Sequence, residues 1–405
     1  MTENIGLGPR WVEVNLGALK HNYQAIREKI GSQVKLLGVV KADAYGLGAV
    51  EVSRVLEETG IDMLAVTSAA EGQQLREAGI TVPILVFRPF TPEEVSLIAR
   101  WNLTATVASK AAILYLKEWL EIHGGKITVH LKVETGMGRY GFWPEEAIAA
   151  AQEILSTPGL LLEGVYTHLA TAMWKNKAYS RKQFQVFQET CVDLKKAGIN
   201  GLIRHIANSA AIIELPEMYL DMVRAGTILY GQNPDPQLKK LISLKDTWCF
   251  KAKVIYIREL PQRHSVGYGR TFRSRRPLPV AVLPVGYVDG VQLEPLLKPA
   301  SVLDLLKGTV KLILTYVGWD KFRAPVQFPG GEGRIIGKVG MQLTMVDVSG
   351  VKDLAVGTTA CVPVRRTAIN AIIPKVYKEE GKTLSMSITI TTVKTGQGIK
   401  ETEYK

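Results

Sequence analysis

The sequence predicts an α/β protein in which a (β/α)8 barrel of the TIM type is followed by a mainly β domain, and three observations carry that expectation. From Trp11 to about Asp235, short apolar runs alternate with stretches of helical periodicity until eight runs have accumulated. Eight strand and helix units within roughly 225 residues suit a closed barrel better than an open six-stranded sheet. Past Asp235 the helical period fades, and apolar runs broken by Gly and Pro replace it. Finally, 405 residues exceed what one core normally supports, whereas a barrel of roughly 250 residues with an added domain accounts for the length.

The eight expected strands are residues 36–40, 62–66, 83–87, 103–107, 127–132, 161–168, 202–206 and 219–223. Helical patterns lie between most of them; Phe184, Phe187, Cys191 and Leu194 share one face of a segment that Gly198 should end. In the second domain, 280–285, 309–317 and 338–348 read as strands, and 384–391 alternates strictly between apolar and hydroxyl side chains. The expected limits are 11–238 for the barrel and 239–393 for the β domain, with frayed tails at 1–10 and 394–405.

Composition narrows the function classes. A hydrophobic content of 46% and a mean hydropathy of +0.07 suit a soluble globular chain. No apolar run reaches the ~18–20 residues of a membrane span, and residues 1–9 lack a signal-peptide core, so a cytoplasmic protein without a membrane partner is expected. Cys191, Cys249 and Cys361 lie far apart without a CxxC, and the six histidines form no ligand-spaced cluster, so neither a disulfide framework nor a metal site is expected. The net charge of +12 has one dense knot, residues 270–276, without a pattern of stacking aromatics; it points to anionic small molecules or to a general basic bias of the organism's proteins rather than to nucleic acid.

Lys41 follows the first expected barrel strand and precedes Ala42-Asp43-Ala44-Tyr45-Gly46-Leu47-Gly48. The carboxyl ends of barrel strands carry the functional loops. A lone lysine there is most often solvated, and the sharper alternative is a desolvated amine that forms a Schiff base with an aldehyde such as that of pyridoxal phosphate. His168 and Arg224 stand at the same end of two other strands. Asn208 and Ser209 fall at an expected helix start, where backbone N–H groups favour a phosphate, and Gly226 belongs to a further small-residue turn. Gly136-Met137-Gly138-Arg139-Tyr140-Gly141 matches a dinucleotide fingerprint with Glu163 downstream, but it follows the fifth strand, whereas that fingerprint opens the first turn of its fold. In the β domain, Tyr268 and Tyr287 sit between glycines, which let a backbone approach another surface closely.

These pieces together resemble the alanine racemase family, fold-type III pyridoxal phosphate enzymes, over about residues 11–350. The carriers are Val40-Lys41-Ala42-Asp43-Ala44-Tyr45-Gly46, Leu131-Lys132-Val133-Glu134-Thr135-Gly136-Met137-Gly138-Arg139, Thr167-His168, the segment from His205 to Ser209, Val223-Arg224-Ala225-Gly226, Val266-Gly267-Tyr268-Gly269 and Gly286-Tyr287-Val288-Asp289-Gly290. The resemblance implies pyridoxal 5'-phosphate as cofactor, alanine as the substrate of a two-base racemisation serving D-alanine supply for cell-wall precursors, and a homodimer with shared active sites. Lys41 and Tyr268 are implied as the catalytic pair, Tyr268 coming from the second subunit. Tyr45, His168, Asn208, Ser209, Arg224 and Gly226 are implied as cofactor-binding residues alongside Lys41, and Arg139 and Met341 as contacts of the substrate carboxylate. Lys132 falls where the family often carries a carbamylated lysine. Met173, Leu293, Lys338 and Gln342 depart from the family pattern near the entrance, which leaves a racemase for another amino acid as an alternative, with a non-catalytic pyridoxal phosphate-binding protein as a second.

Overall fold

The computed structural model describes residues 8–233, 241–293, 302–316, 324–370, 372–379 and 381–387. The chain divides into two compact units, Asn15–Trp248 with Lys378–Lys382, and Met1–Val14 with Cys249–Tyr377 and Thr383–Lys405.

With Arg10–Asn15 as β1, the strands of the first unit are β2 (Lys35–Val39), β3 (Met63–Val66), β4 (Ile84–Val86), β5 (Thr104–Val107), β6 (Ile127–Lys132), β7 (Leu160–Tyr166), β8 (Ile203–His205) and β9 (Met222–Ala225). They form an eight-stranded sheet in the order β8-β7-β6-β5-β4-β3-β2-β9, all pairs parallel, with helices between. β8 and β9 close the ring through two backbone bonds, Asp221 N–H to Arg204 O at 3.2 Å and Arg224 N–H to Ala207 O at 3.0 Å. This is the nearly closed barrel the sequence predicts. The last strand falls a little later than expected because Pro216–Met218 forms a 3-10 turn first. The helix Ala178–Lys196 buries Phe184, Phe187 and Leu194, and Gly198, at φ 84°, follows its end.

One half of the ring interior is apolar, packed from Leu37, Val39, Met63, Ala65, Leu85 and Met222. The other half is polar, and its register depends on a missing side chain. β6 and β7 slip by one residue between Val129 and His130, which sets His130 opposite Gly164. A Cβ at Gly164 would meet the His130 ring at 2.7 Å, so only glycine leaves the imidazole its place.

The second unit is built on a ten-stranded sheet, and β1 belongs to it, between Trp248–Lys253 and Lys375–Glu379. Val12 N–H donates to Pro374 O and Lys253 N–H to Pro9 O, both at 2.8 Å. The sequence placed residue 11 at the start of the barrel; six residues of alternating pattern do not reveal a partner strand more than two hundred positions away. Toward 248 the chain stays with the barrel unit because Asn22, on the helix Leu16–Ile30, accepts from Lys245 N–H at 2.7 Å and donates to Lys245 O at 2.8 Å.

Two further expectations are corrected. The run at 309–317 is no strand: Val302–Tyr316 is a helix, its apolar residues recurring at helical spacing after Asp304 in the first turn. A disulfide is present, Cys249 to Cys361, with Cα atoms 6.0 Å apart on the neighbouring antiparallel strands Trp248–Lys253 and Thr359–Val362. The first half of the alternating run forms the strand Lys382–Ser387; residues 388–391 and the 394–405 tail lie outside the described residues.

With Cys191 left as the free cysteine, thiol titration in denaturant without reductant should count one thiol per chain, and three after reduction. Because the bond closes a separation of 112 residues, the Cys361→Ser variant should lose about 2–4 kcal/mol of unfolding free energy in a denaturant titration.

Candidate active site at the barrel mouth

At the carboxyl end of β2 the chain enters a left-handed turn in which Ala42, Asp43, Ala44 and Tyr45 have φ of 52°, 55°, 51° and 57°. Such backbone costs roughly 1–2 kcal/mol per L-residue and persists only where its surroundings dictate it. Here Ala42 N–H donates to Glu71 Oε1 at 2.6 Å, Ala44 N–H to Val40 O at 2.9 Å, and Ala49 N–H to Asp43 Oδ1 at 2.7 Å. The turn sets Lys41 and Tyr45 side by side on the wall of a cavity of about 820 Å³. Burial, and then the Arg139 guanidinium, lower the Lys41 amine below its ordinary pKa against the opposing pull of Glu71. At neutral pH a desolvated amine of this kind is unprotonated, and so available to act as nucleophile or base, in a larger fraction of molecules than a solvated one.

Arg139, His168, Asn208, Ser209, Arg224 and Gly226 line the same cavity. Arg224 is buried inside the barrel, and its Nη1 donates to His205 Nδ1 at 2.9 Å. Its Nη2 hydrogens are shared among Thr167 O at 2.8 Å, Ile206 O at 3.0 Å and His168 Nδ1 at 3.2 Å. Burial pushes the guanidinium down to about 10, which leaves it charged at neutral pH. Burial, followed by the charge of Arg224, holds His205 and His168 well below the usual histidine range, so both are neutral. An arginine can only donate, and this fixes the direction of a chain of bonds. His205 accepts at Nδ1 and donates from Nε2 to His130 Nδ1 at 2.9 Å; His130 in turn donates to Glu163 Oε2 at 3.0 Å, at the edge of the barrel.

Across the cavity, two hydroxyls converge on Gly226. A Cβ at that position would lie 2.6 Å from Tyr45 Oη and 3.7 Å from Ser209 Oγ, and the Gly226 N–H donates to Ser209 Oγ at 3.0 Å. Two hydroxyl donors beside a residue without a side chain suit a phosphate ester. Asn208 works at one remove, because its Oδ1 caps the following helix by accepting from Ala210 and Ala211 N–H at 3.2 Å each. A phosphorylated pyridine aldehyde therefore fits the residues present: an amine for the aldehyde, a guanidinium that holds its proton, and a hydroxyl cradle for the ester.

The glycine run at 136–141 has a different use from the one its pattern suggests. The Glu134 carboxylate accepts from the N–H groups of Gly136, Met137 and Arg139, so the donors a pyrophosphate would need are already engaged. Despite partial burial, these donors keep Glu134 below the ordinary carboxylate range. Glu163, the other half of that pattern, is bound to His130. Lys132 is buried, with Nζ donating to Val133 O at 2.7 Å and lying over the Tyr140 and Tyr166 rings; burial lowers its pKa to about 7.

Tyr268 and Met341 belong to the second unit, where their side chains are 76% and 58% exposed. Tyr268 follows Gly267, whose φ of 74° brings it against the Lys338 backbone. Met341 is held by the glycine turn at 286–290: Tyr287 N–H donates to Gly340 O at 3.1 Å and Val288 N–H to Met341 O at 3.3 Å. Buried Asp289 braces that turn, accepting from Gly286 N–H at 3.0 Å and from Arg10 at 2.8 Å. Leu293, Lys338 and Gln342 are exposed in the same unit, whereas Met173 lines the barrel cavity. The sequence does not mark His130 and Tyr166 as site residues, and marks Glu163 only as the acid of the dinucleotide pattern. The signal was the alternation in β6, where Thr128, His130 and Lys132 share one face of a buried strand.

Both units match known families. The model of the alanine racemase N-terminal domain matches residues 14–234, and that of the alanine racemase C-terminal domain residues 248–389. Among curated relatives, alanine racemase 2 of Caldanaerobacter subterraneus subsp. tengcongensis is 37% identical over 351 residues, covering 86% of this chain and 84% of the relative. The alanine racemase of Carboxydothermus hydrogenoformans is 36% identical over 379 residues, 91% of this chain and 99% of the relative. Among solved structures, alanine racemase of Clostridium difficile 630 superposes with a TM-score of 0.82 at 30% identity, covering 94% of this chain and 98% of that one. The Bacillus anthracis alanine racemase with bound L-Ala-P gives 0.79 at 26% identity, covering 94% and 97%.

Two measurements probe this geometry. Ala42→Gly relieves one left-handed residue at an exposed position and should add about 0.5–1 kcal/mol to the unfolding free energy. Lys132 has a folded pKa below its unfolded one, so between about pH 7 and pH 10 the unfolded chain binds more protons and this lysine makes stability rise with pH. Lys132→Met should therefore stabilise more near about pH 6 than near about pH 9 in carbon dioxide-free buffer; an equal change at both would contradict the assignment.

Proposed function

The chain belongs to the alanine racemase family, and on that premise we propose that it interconverts L-alanine and D-alanine with pyridoxal 5'-phosphate held at the barrel mouth. The observation that carries the reading is Lys41, a desolvated amine at the end of β2, in one cavity with the Tyr45, Ser209 and Gly226 cradle and the Arg224 guanidinium. Lys41 would hold the cofactor through its amine. The cradle would take the phosphate, and Asn208 positions the segment that carries Ser209. Arg224 would face the pyridine nitrogen, its Nε having no acceptor among the described residues. When bound, the cofactor supplies an electron sink for negative charge at the substrate α-carbon.

The chain's own groups then decide where the proton goes. Arg224, with its pKa near 10, offers a hydrogen bond and withholds its proton, which favours return of a proton to the α-carbon. Lys41, its amine lowered below the ordinary lysine range by burial, serves one face of that carbon. Tyr268 serves the other, delivered from the β unit of a second copy in a homodimer with shared sites. Its support is the exposed Tyr268 turn, held from behind by Gly267, on a unit that also exposes Tyr287 and Met341. A phenol with a reference pKa near 10 needs cations close by to act as a base, and the cavity offers them in Arg139 and Arg224. Arg139, with the Met341 backbone of the second copy, would receive the substrate carboxylate. Lys132 has the unprotonated amine that can add carbon dioxide, forming an N–C bond and releasing a proton, so a carbamate there is part of the proposal.

Borohydride reduction in the presence of pyridoxal 5'-phosphate should label Lys41, read by peptide mapping, and Lys41→Ala should remove both label and visible absorbance. Chiral chromatography after incubation with each L-amino acid tests the substrate: turnover of a different amino acid and none of alanine would overturn the alanine assignment while leaving the labelling intact. In deuterated water, Tyr268→Phe should slow α-proton exchange from one enantiomer by at least about a hundredfold more than from the other. Equal, mild losses from both would remove Tyr268 from its role.

A further inference from the structure

We propose that the helix Val302–Tyr316 docks the β unit on an anionic lipid surface. The mechanism makes no use of this helix, and its solvent exposure is at odds with its composition. From Val302 to Ile313 every described side chain is exposed, including Leu312 at 73% and Ile313 at 57%. At about 100° per residue, Val302, Leu305, Leu306, Val310, Leu312 and Ile313 sweep an arc of roughly 160°, while Asp304, Lys307 and Lys311 occupy the opposite side. An apolar face of that width, interrupted by Thr309, on a helix whose described side chains are exposed from Val302 to Ile313, marks an interaction surface rather than a scatter of exposed residues.

Three observations favour lipid as the occupant. Fifteen residues extend about 22 Å, short of the ~30 Å hydrocarbon layer, and no described helix is long and apolar enough to cross a membrane, so the helix would lie in the interface. An apolar face backed by lysines, whose stems can run along the surface while their heads stay in water, is the pattern of helices that bind headgroup regions. The charge is complementary to anionic lipid: the helix carries Lys307 and Lys311 against Asp304, in a chain of net charge +12. A second copy is the weaker occupant. One helix face about 22 Å by 10 Å falls well below the roughly 1,200 Å² of a stable interface. Span length, the criterion behind the expectation of no membrane partner, does not detect a helix that lies flat.

The test is co-sedimentation of the full-length holoenzyme with vesicles of phosphatidylglycerol and phosphatidylcholine, against phosphatidylcholine alone. The anionic vesicles should bind at least about tenfold more protein, and L306E/I313E should reduce that binding at least about tenfold, with thermal midpoint, oligomeric state and racemase rate unchanged. K307Q/K311Q should weaken binding to anionic vesicles only. The proposal is overturned if the wild-type chain does not sediment, or if binding persists in L306E/I313E and vanishes with salt, which would assign it to net charge. It is likewise overturned if L306E/I313E alters the oligomeric state, which would assign the face to a second copy, or lowers the thermal midpoint, which would show the helix packed on its own chain.

Discussion

A guanidinium enclosed in a barrel must have its hydrogens accepted by the protein, since leaving a charge without partners in the interior costs far more than one hydrogen bond yields. Arg224 meets that demand at its two terminal nitrogens, with two carbonyls and two imidazoles. The consequences spread from there. The carbonyls of Thr167 and Ile206 belong to the loops just past β7 and β8, so the ends of those strands are held where the arginine needs them. His205 must stay neutral to accept, which commits its other nitrogen to donate, and the commitment passes through His130 to Glu163. Half of the barrel interior is polar because one arginine sits in it.

The opposite half carries the amine. Four left-handed residues after β2 form an unfavourable turn, stabilised by the carboxylates of Glu71 and Asp43, and its effect is to bring Lys41 and Tyr45 to one wall. Local strain and buried charge are thus placed on the neighbouring strands β2 and β9, beside one cavity, each held by its own set of hydrogen bonds. A fold that retains both has a site whose geometry does not depend on a ligand to assemble it.

Much of this was legible in the sequence. The alternation of apolar runs and helical periods is a local signal and located all eight barrel strands; the lysine and arginine at strand ends stood out because charge is rare in such positions. What escaped depends on distance along the chain. β1 pairs with strands near 250 and 375, and Cys249 meets Cys361, relations that no local pattern encodes. The helix at Val302–Tyr316 was misread because a short run rich in Val, Leu, Ile and Thr satisfies either period. The path from Arg224 to Glu163 required the slipped register of β6 on β7, and Gly164, the residue that permits it, is silent in sequence because its role is the absence of a side chain.

The carboxylate of Glu134 bears on how selectively the pocket can bind. By gathering the amides of its own loop, it freezes the backbone that carries Arg139 before anything arrives. A cation so mounted forfeits little entropy on capture, and affinity for a small anion rises without any added contact. In the proposed role of Arg139 as receiver of the substrate carboxylate, the same rigidity would limit tolerance, because a fixed loop does not follow an anion displaced by a bulkier neighbour.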